Sequence, residues 1–266
     1  MTARRLHSRA PNDLEALVVG DPVFAVACGV VFVGAVAATI MLADPMHAGH
    51  ASMMWMSGSG QAWLAAGAGF MRMWVVMMAA MMLPSLTPML LRYRRAAAET
   101  GEIRIGTSTA LLGLGYSLVW MVLGAVTYPF GAAVATVAHE LPSVSYAGPL
   151  TVGVLVLIAG LLQLTEWNAH HIACCRELAD ARTPKRDRRT PWRQGLDLGV
   201  HCVCCSALPM AILLVSGGMS LITMSIVTAA MTLERVTING ARVARALGAL
   251  VIPMGLILIA RAIGQG

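Results

Sequence analysis

The chain has 266 residues, 58% of them hydrophobic and 12% charged, where an average soluble domain carries about 25% charged residues. With a mean hydropathy of +0.72, this composition excludes an ordinary soluble globular domain. The 19 basic residues exceed the 13 acidic ones, but the excess is spread over short segments between apolar runs, which argues against a nucleic-acid partner.

Residues 1–21 form a polar tail with Arg4, Arg5 and Arg9. A continuous apolar run follows over 22–43 and carries Cys28. It is longer than the roughly 7–15 residues of a signal-peptide core, so an uncleaved spanning helix is expected. The next segment, "DPMHAGHASMMWMSGSG", gathers Met46, His47, His50, Met53, Met54 and Met56. Thioether and imidazole without thiolate is a ligand set that copper can use in an oxidising compartment.

The second run, 64–91, is rich in methionine: Met71, Met78, Met82 and Met89 share one helical face, with Met73, Met77 and Met81 beside it. Packing is the plain reading, since methionine fills cores; a thioether ladder for Cu(I) is the alternative. Pro84 and Pro88 are expected to bend this helix, and Arg72 to snorkel near its outer end. Further runs lie at 107–130, 148–168, 197–217, 219–233 and 246–263. Seven spans are therefore expected, in an all-α polytopic transmembrane bundle forming one domain over 22–266, because lipid admits only helices or closed barrels and these runs do not alternate. A short AAM-x-L match between "MMAAMMLP" and "IVTAAMTLE" suggests a parallel repeat.

Arranged this way, 17 of the 19 basic residues fall on one side. They include Arg92, Arg94, Arg95 and Arg104, then seven in the 169–196 loop, then Arg235, Arg242 and Arg245. The positive-inside rule makes that side, with the N-terminus, cytoplasmic. The basic loop is expected to contact anionic headgroups, and Glu166 and Glu234 to sit at the interface.

All six cysteines then lie at the cytoplasmic end, where reduced thiols are the rule. Two clusters stand out. "NAHHIACC" holds His170, His171, Cys174 and Cys175, with His170 and Cys174 four residues apart. "HCVCC" holds His201, Cys202, Cys204 and Cys205 on an arc of one helix. Thiolate and imidazole together suit copper, with zinc as the second candidate. If the helix of 148–168 runs on, the two clusters can form one site. No P-loop or dinucleotide-binding glycine motif is present.

The stretches "MWVVMMAAMMLPSLTP", "LLQLTEWNAHHIACCRE" and "DLGVHCVCCSALPMAILLVSGGMSLITMSIVTAAMTLER" resemble a bacterial family of predicted metal-binding integral membrane proteins, a domain of unknown function. Gly218, Met219 and Glu234 match its pattern. The chain departs from it at Glu166, where a proline stands in the family, and at Ser206, where an aromatic does. The resemblance implies metal binding in a bacterial inner membrane. The expectation is a copper-binding protein for trafficking or delivery, with a membrane cuproenzyme or a metallochaperone as partner, rather than an enzyme. The alternatives are a membrane thiol oxidoreductase cycling Cys204 or Cys205, and a structural subunit of a larger membrane complex.

Overall fold

The computed structural model describes residues 20–43, 61–140, 148–179, 190–215, 221–237 and 239–264. Within them all regular structure is helical: α1 (Pro22–Ala43), α2 (Gln61–Glu99), α3 (Ile105–Glu140), α4 (Gly148–Gln163), α5 (Glu166–Ala179), α6 (Pro191–Val215), α7 (Leu221–Val236) and α8 (Gly240–Gly264). The tail 1–19, the Met/His segment with Met46, His47, His50 and Met53, and the pair Gly218 and Met219 lie outside the described residues.

Local chemistry sets the helix ends. Asp21 caps α1 by accepting from the Phe24 amide at 3.3 Å, and Pro22 takes the first helical position, where no amide hydrogen is needed. The same carboxylate pairs with Arg94 of α2 at 2.6 Å, and the Arg94 guanidinium lies 4.5 Å above the Phe24 ring. The start of α1 is thereby tied to the far half of α2. That helix runs unbroken past Pro84 and Pro88, so the expected break in its methionine face does not occur. Arg72 is exposed, as snorkelling requires.

Four helices among the described residues are long and apolar enough to cross a membrane: α1, α2, α3 and α8. A fifth arises if α4 and α5 are taken as one broken span. The sequence pattern gives seven. The run at 219–233 falls on α7, whose 16 residues cover about 24 Å at 1.5 Å each, short of a hydrocarbon core of about 30 Å. The run at 197–217 falls on α6, whose first three turns carry Arg193, Gln194, Asp197 and His201.

The run at 148–168 is not one helix either. Segments 150–163 and 166–175 are bent by 70°. The amides of Leu164 and Thr165 close α4 with short bonds to Leu161 and Leu162. Thr165 then starts α5 by accepting from the Asn168 amide at 3.4 Å, and Glu166 favours the new first turn. Part of the expected 169–196 loop is consequently helical, as the end of α5 and the start of α6.

Close helix contacts are built on glycine. A methyl placed on Gly195 of α6 would sit 2.1 Å from the Leu112 carbonyl oxygen of α3, and one on Gly199 would meet Val119 at 2.8 Å. These glycines share a face with Cys202 and Ser206, four, three and four residues apart. The backbones of α3 and α6 can touch only because that face carries no Cβ atom at Gly195 and Gly199. Gly195→Ala is therefore expected to destabilise the protein by about 1–3 kcal/mol, the usual cost of overpacking. A lowered unfolding temperature in detergent checks this. A second stripe on α8 repeats the device against α4: a methyl on Gly248 would lie 2.8 Å from the Gly160 carbonyl oxygen.

The core is filled from α2. Met77, Met78, Met81, Met82 and Met89 are all buried, packed with Phe70, Trp74 and Tyr93. Trp74 donates to the Trp120 carbonyl at 2.9 Å, over Gly124, where a methyl would strike the indole at 2.5 Å.

Candidate metal centre

The α3–α6 contact brings Cys202 to the centre of this core, 1% exposed. Its thiol lies 3.0 Å from the Tyr116 hydroxyl and 3.9 Å from the Met82 sulfur. Ser206, one turn on, donates to the Cys202 carbonyl at 2.5 Å, which keeps its hydroxyl off the thiol.

One turn from Cys202, Cys205 lies within electrostatic reach of Cys175 of α5. Cys175 is as deeply buried as Cys202. The rings of His171 and His201 join the same two helices, with their Nδ1 atoms 2.8 Å apart. Trp167 abuts His171 edge-on, its ring centroid 4.4 Å away. The bend at Leu164–Thr165 is what lays α5 against α6, so the two clusters meet without the straight continuation the sequence suggests.

The pairings are partly those expected. His170 Nε2 lies 3.4 Å from the Cys174 thiol, on the exposed side of α5. His171 turns to His201 rather than to Cys174 or Cys175, and Cys205 pairs across helices. Cys204 is half-buried. Cys28 is buried elsewhere, on α1. Among the described residues no three His, Cys, Asp or Glu side chains converge in a geometry able to hold a metal ion. The arrangement is instead a thiol pair beside a third thiol and a thioether.

Arg235 is the residue that sequence reasoning misplaced. Counted as a loop charge, it is in fact 5% exposed at the end of α7, and Glu234 beside it is equally buried rather than interfacial. The Arg235 Nη1 donates to Ser85 Oγ at 3.0 Å and lies 4.0 Å from the Met82 sulfur. Its Nη2 has no hydrogen-bond partner. Glu234 turns away and accepts from Gln163 at 3.2 Å. Among the described residues no carboxylate lies within ion-pair distance of the guanidinium. Within its electrostatic reach lie the thiols of Cys175, Cys202 and Cys205 and the Tyr116 hydroxyl, together with the Glu234 carboxyl. A buried cation is costly unless an anion compensates it. These thiols are the groups placed to become that anion. The signal was available: Met224, Met231 and Arg235 stand seven and four residues apart, on one helical face.

Comparison with known proteins gives one match. The family model described as PpoB2, copper chaperone, matches residues 71–258. That interval takes in most of α2, all of α3 to α7 and most of α8, with both cysteine clusters and Arg235. No curated protein and no solved structure matches the chain.

Proposed function

This chain belongs to the PpoB2 copper chaperone family, and on that premise we propose that it holds Cu(I) as cargo between the thiols of Cys175 and Cys205, with Cys202 and Met82 alongside. The observation that carries the reading is the unpaired Arg235 guanidinium facing three thiols. A metal is bound by thiolate, not thiol, so binding releases protons and places negative charge beneath Arg235. Binding between Cys175 and Cys205 releases both of their thiol protons. Two thiolates on a monovalent ion carry one net negative charge, which the guanidinium balances.

The sulfur set also favours copper over zinc. Structural zinc takes four nitrogen or sulfur ligands in a tetrahedron, whereas thioether beside thiolate selects Cu(I). His171 and His201 stand at the α5–α6 edge of the pair, and His170 with Cys174 on the exposed face beyond. Those four side chains mark the route by which the ion reaches the thiols, and Cys204 lies beside it.

In the same reading, 22–266 is one helical domain in a bacterial inner membrane, with the tail 1–21 and the cysteine side cytoplasmic. Met46, His47, His50 and Met53 take up or hand over copper on the outer side. Delivery to a membrane cuproenzyme, or exchange with a metallochaperone, is the role this serves.

The test is elemental mass spectrometry of protein purified in detergent under reducing conditions. Wild type is expected to carry near-stoichiometric copper. A variant with Cys175, Cys202 and Cys205 all changed to Ser is expected to carry almost none. Equal copper in both would overturn the assignment. A folded wild type with no copper would favour thiol redox chemistry instead.

A further inference from the structure

The thiols do not stand alone in the core. Cys175 and Cys202 belong to one buried cluster that includes eight methionines. To those of α2 it adds Met210 of α6 and Met224 and Met231 of α7. Among the described residues the other aliphatic members of this cluster are four leucines, with no valine or isoleucine. The outward faces are the reverse. There the large exposed apolar residues are valine, leucine and isoleucine almost throughout, with only Met41 and Met254 among them as methionines.

Hydrophobicity does not explain this sorting, because valine, leucine and isoleucine would bury as well. Packing does not favour it either. Methionine loses more rotamer freedom on burial than leucine or isoleucine, and it specifies a core less well. What methionine alone brings is sulfur, and here that sulfur is concentrated inward around the thiols.

We propose that the methionine core around Met77, Met81, Met82 and Met231 is a second binding site, a thioether site for a soft monovalent cation of the Cu(I) class. The proposal rests on the copper reading above and extends it to residues that reading leaves unused. The Met82 sulfur, 3.9 Å from the Cys202 thiol, is where the two sites adjoin. Thioethers bind such an ion without releasing a proton, so its positive charge stays uncompensated there, near the Arg235 guanidinium 4.0 Å from the Met82 sulfur. An ion held there is bound more weakly than between thiolates and is free to pass to them.

Silver(I) tests this, as a soft monovalent probe that does not change oxidation state. Full-length protein in detergent is titrated by calorimetry in four forms. These are wild type, the variant with Cys175, Cys202 and Cys205 changed to Ser, the combined Met77→Leu, Met81→Leu and Met231→Leu variant, and Met81→Leu alone. Leucine nearly conserves methionine's volume, so folding is expected to survive. The single variant covers the case in which the combined one does not fold.

The cysteine variant is expected to keep a weaker equivalent of silver after losing the tight one. The methionine variants are expected to keep the tight equivalent and to lose or weaken the other by tenfold or more. Any silver bound by the outer Met/His segment is common to all four forms and cancels. Zinc(II) is expected to bind at neither methionine-dependent step. Methionine variants with the full wild-type silver profile would overturn the thioether site and leave the thiol site standing. A tight equivalent that survives in the cysteine variant would instead overturn the thiol assignment.

Discussion

Arg235→Leu is expected to weaken Cu(I) binding by about a hundredfold to a thousandfold while leaving the metal-free protein as stable as wild type or more so. The two halves of this result have one cause. In the metal-free protein the guanidinium is buried with Nη2 unpartnered and, among the described residues, without a carboxylate at ion-pair distance. Replacing such a charge by an apolar side chain removes its desolvation cost. In the copper-loaded protein the same guanidinium balances thiolate charge, and removing one partner of a buried pair costs about 3–5 kcal/mol, which is about two to three powers of ten in affinity. A purely structural Arg235 would give the opposite pattern, with stability lost and metal affinity kept. Competition titration against a chromophoric Cu(I) chelator, beside thermal unfolding with and without copper, separates the two. Arg235→Lys keeps the charge and loses the second nitrogen, so it is expected to fall between wild type and Arg235→Leu. Wild-type copper affinity in Arg235→Leu would remove the charge-balance account.

The pairing within the first cluster was legible in the sequence because it is local. His170 and Cys174 stand four residues apart, a helical neighbour relation, and they are neighbours here. That the two clusters could meet was open in the sequence; consecutive α5 and α6 allow it. The way they meet was not legible. An apolar run cannot reveal a 70° bend, and the mark of it was the cap written in "LTEWN", where Thr165 and Glu166 start a new helix inside the run. The count of spans failed for a related reason: a helix buried among other helices is as apolar as one facing lipid, so length has to decide, and α7 is short. Arg235 was lost because a charge next to an apolar run reads as the loop beyond it. Only the partner helices show that α7 ends inside the core, against Ser85 and Met82. Tyr116, 86 residues from Cys202, left no local trace at all; what brings it there is the glycine face of α6, whose spacing is visible but whose partner is not.

The five cysteines of the two clusters are expected to divide sharply when each is changed to Ser. Cys175→Ser and Cys205→Ser should each lower Cu(I) affinity by more than about a hundredfold, since loss of a mere outer-shell partner of a metal site already costs about 10- to 100-fold. Cys174→Ser and Cys204→Ser should change equilibrium affinity by less than about tenfold, the low end of that same range. Geometry is the reason. Cys175 and Cys205 lie within electrostatic reach of each other across the α5–α6 contact, so the metal enters where those two helices bring thiols together. Cys174 pairs outward with His170, on the face of α5 that points away from Arg235. Cys204 is half-buried and is not among the groups in reach of the guanidinium. A thiolate there would lack the charge that balances the other three. Cys202 adjoins Tyr116 and Met82 rather than the thiol pair, and Cys202→Ser is expected to show an intermediate loss. The two outward residues should reveal themselves in rate instead: the exposed Cys174 with His170 is the first soft ligand pair an ion meets on α5, so Cys174→Ser should slow copper transfer from a donor chelate without moving the endpoint. Stopped-flow transfer and equilibrium competition on the same five variants read the two effects separately. Equal affinity losses across all five would mean that the ion is not held where α5 and α6 bring their thiols together.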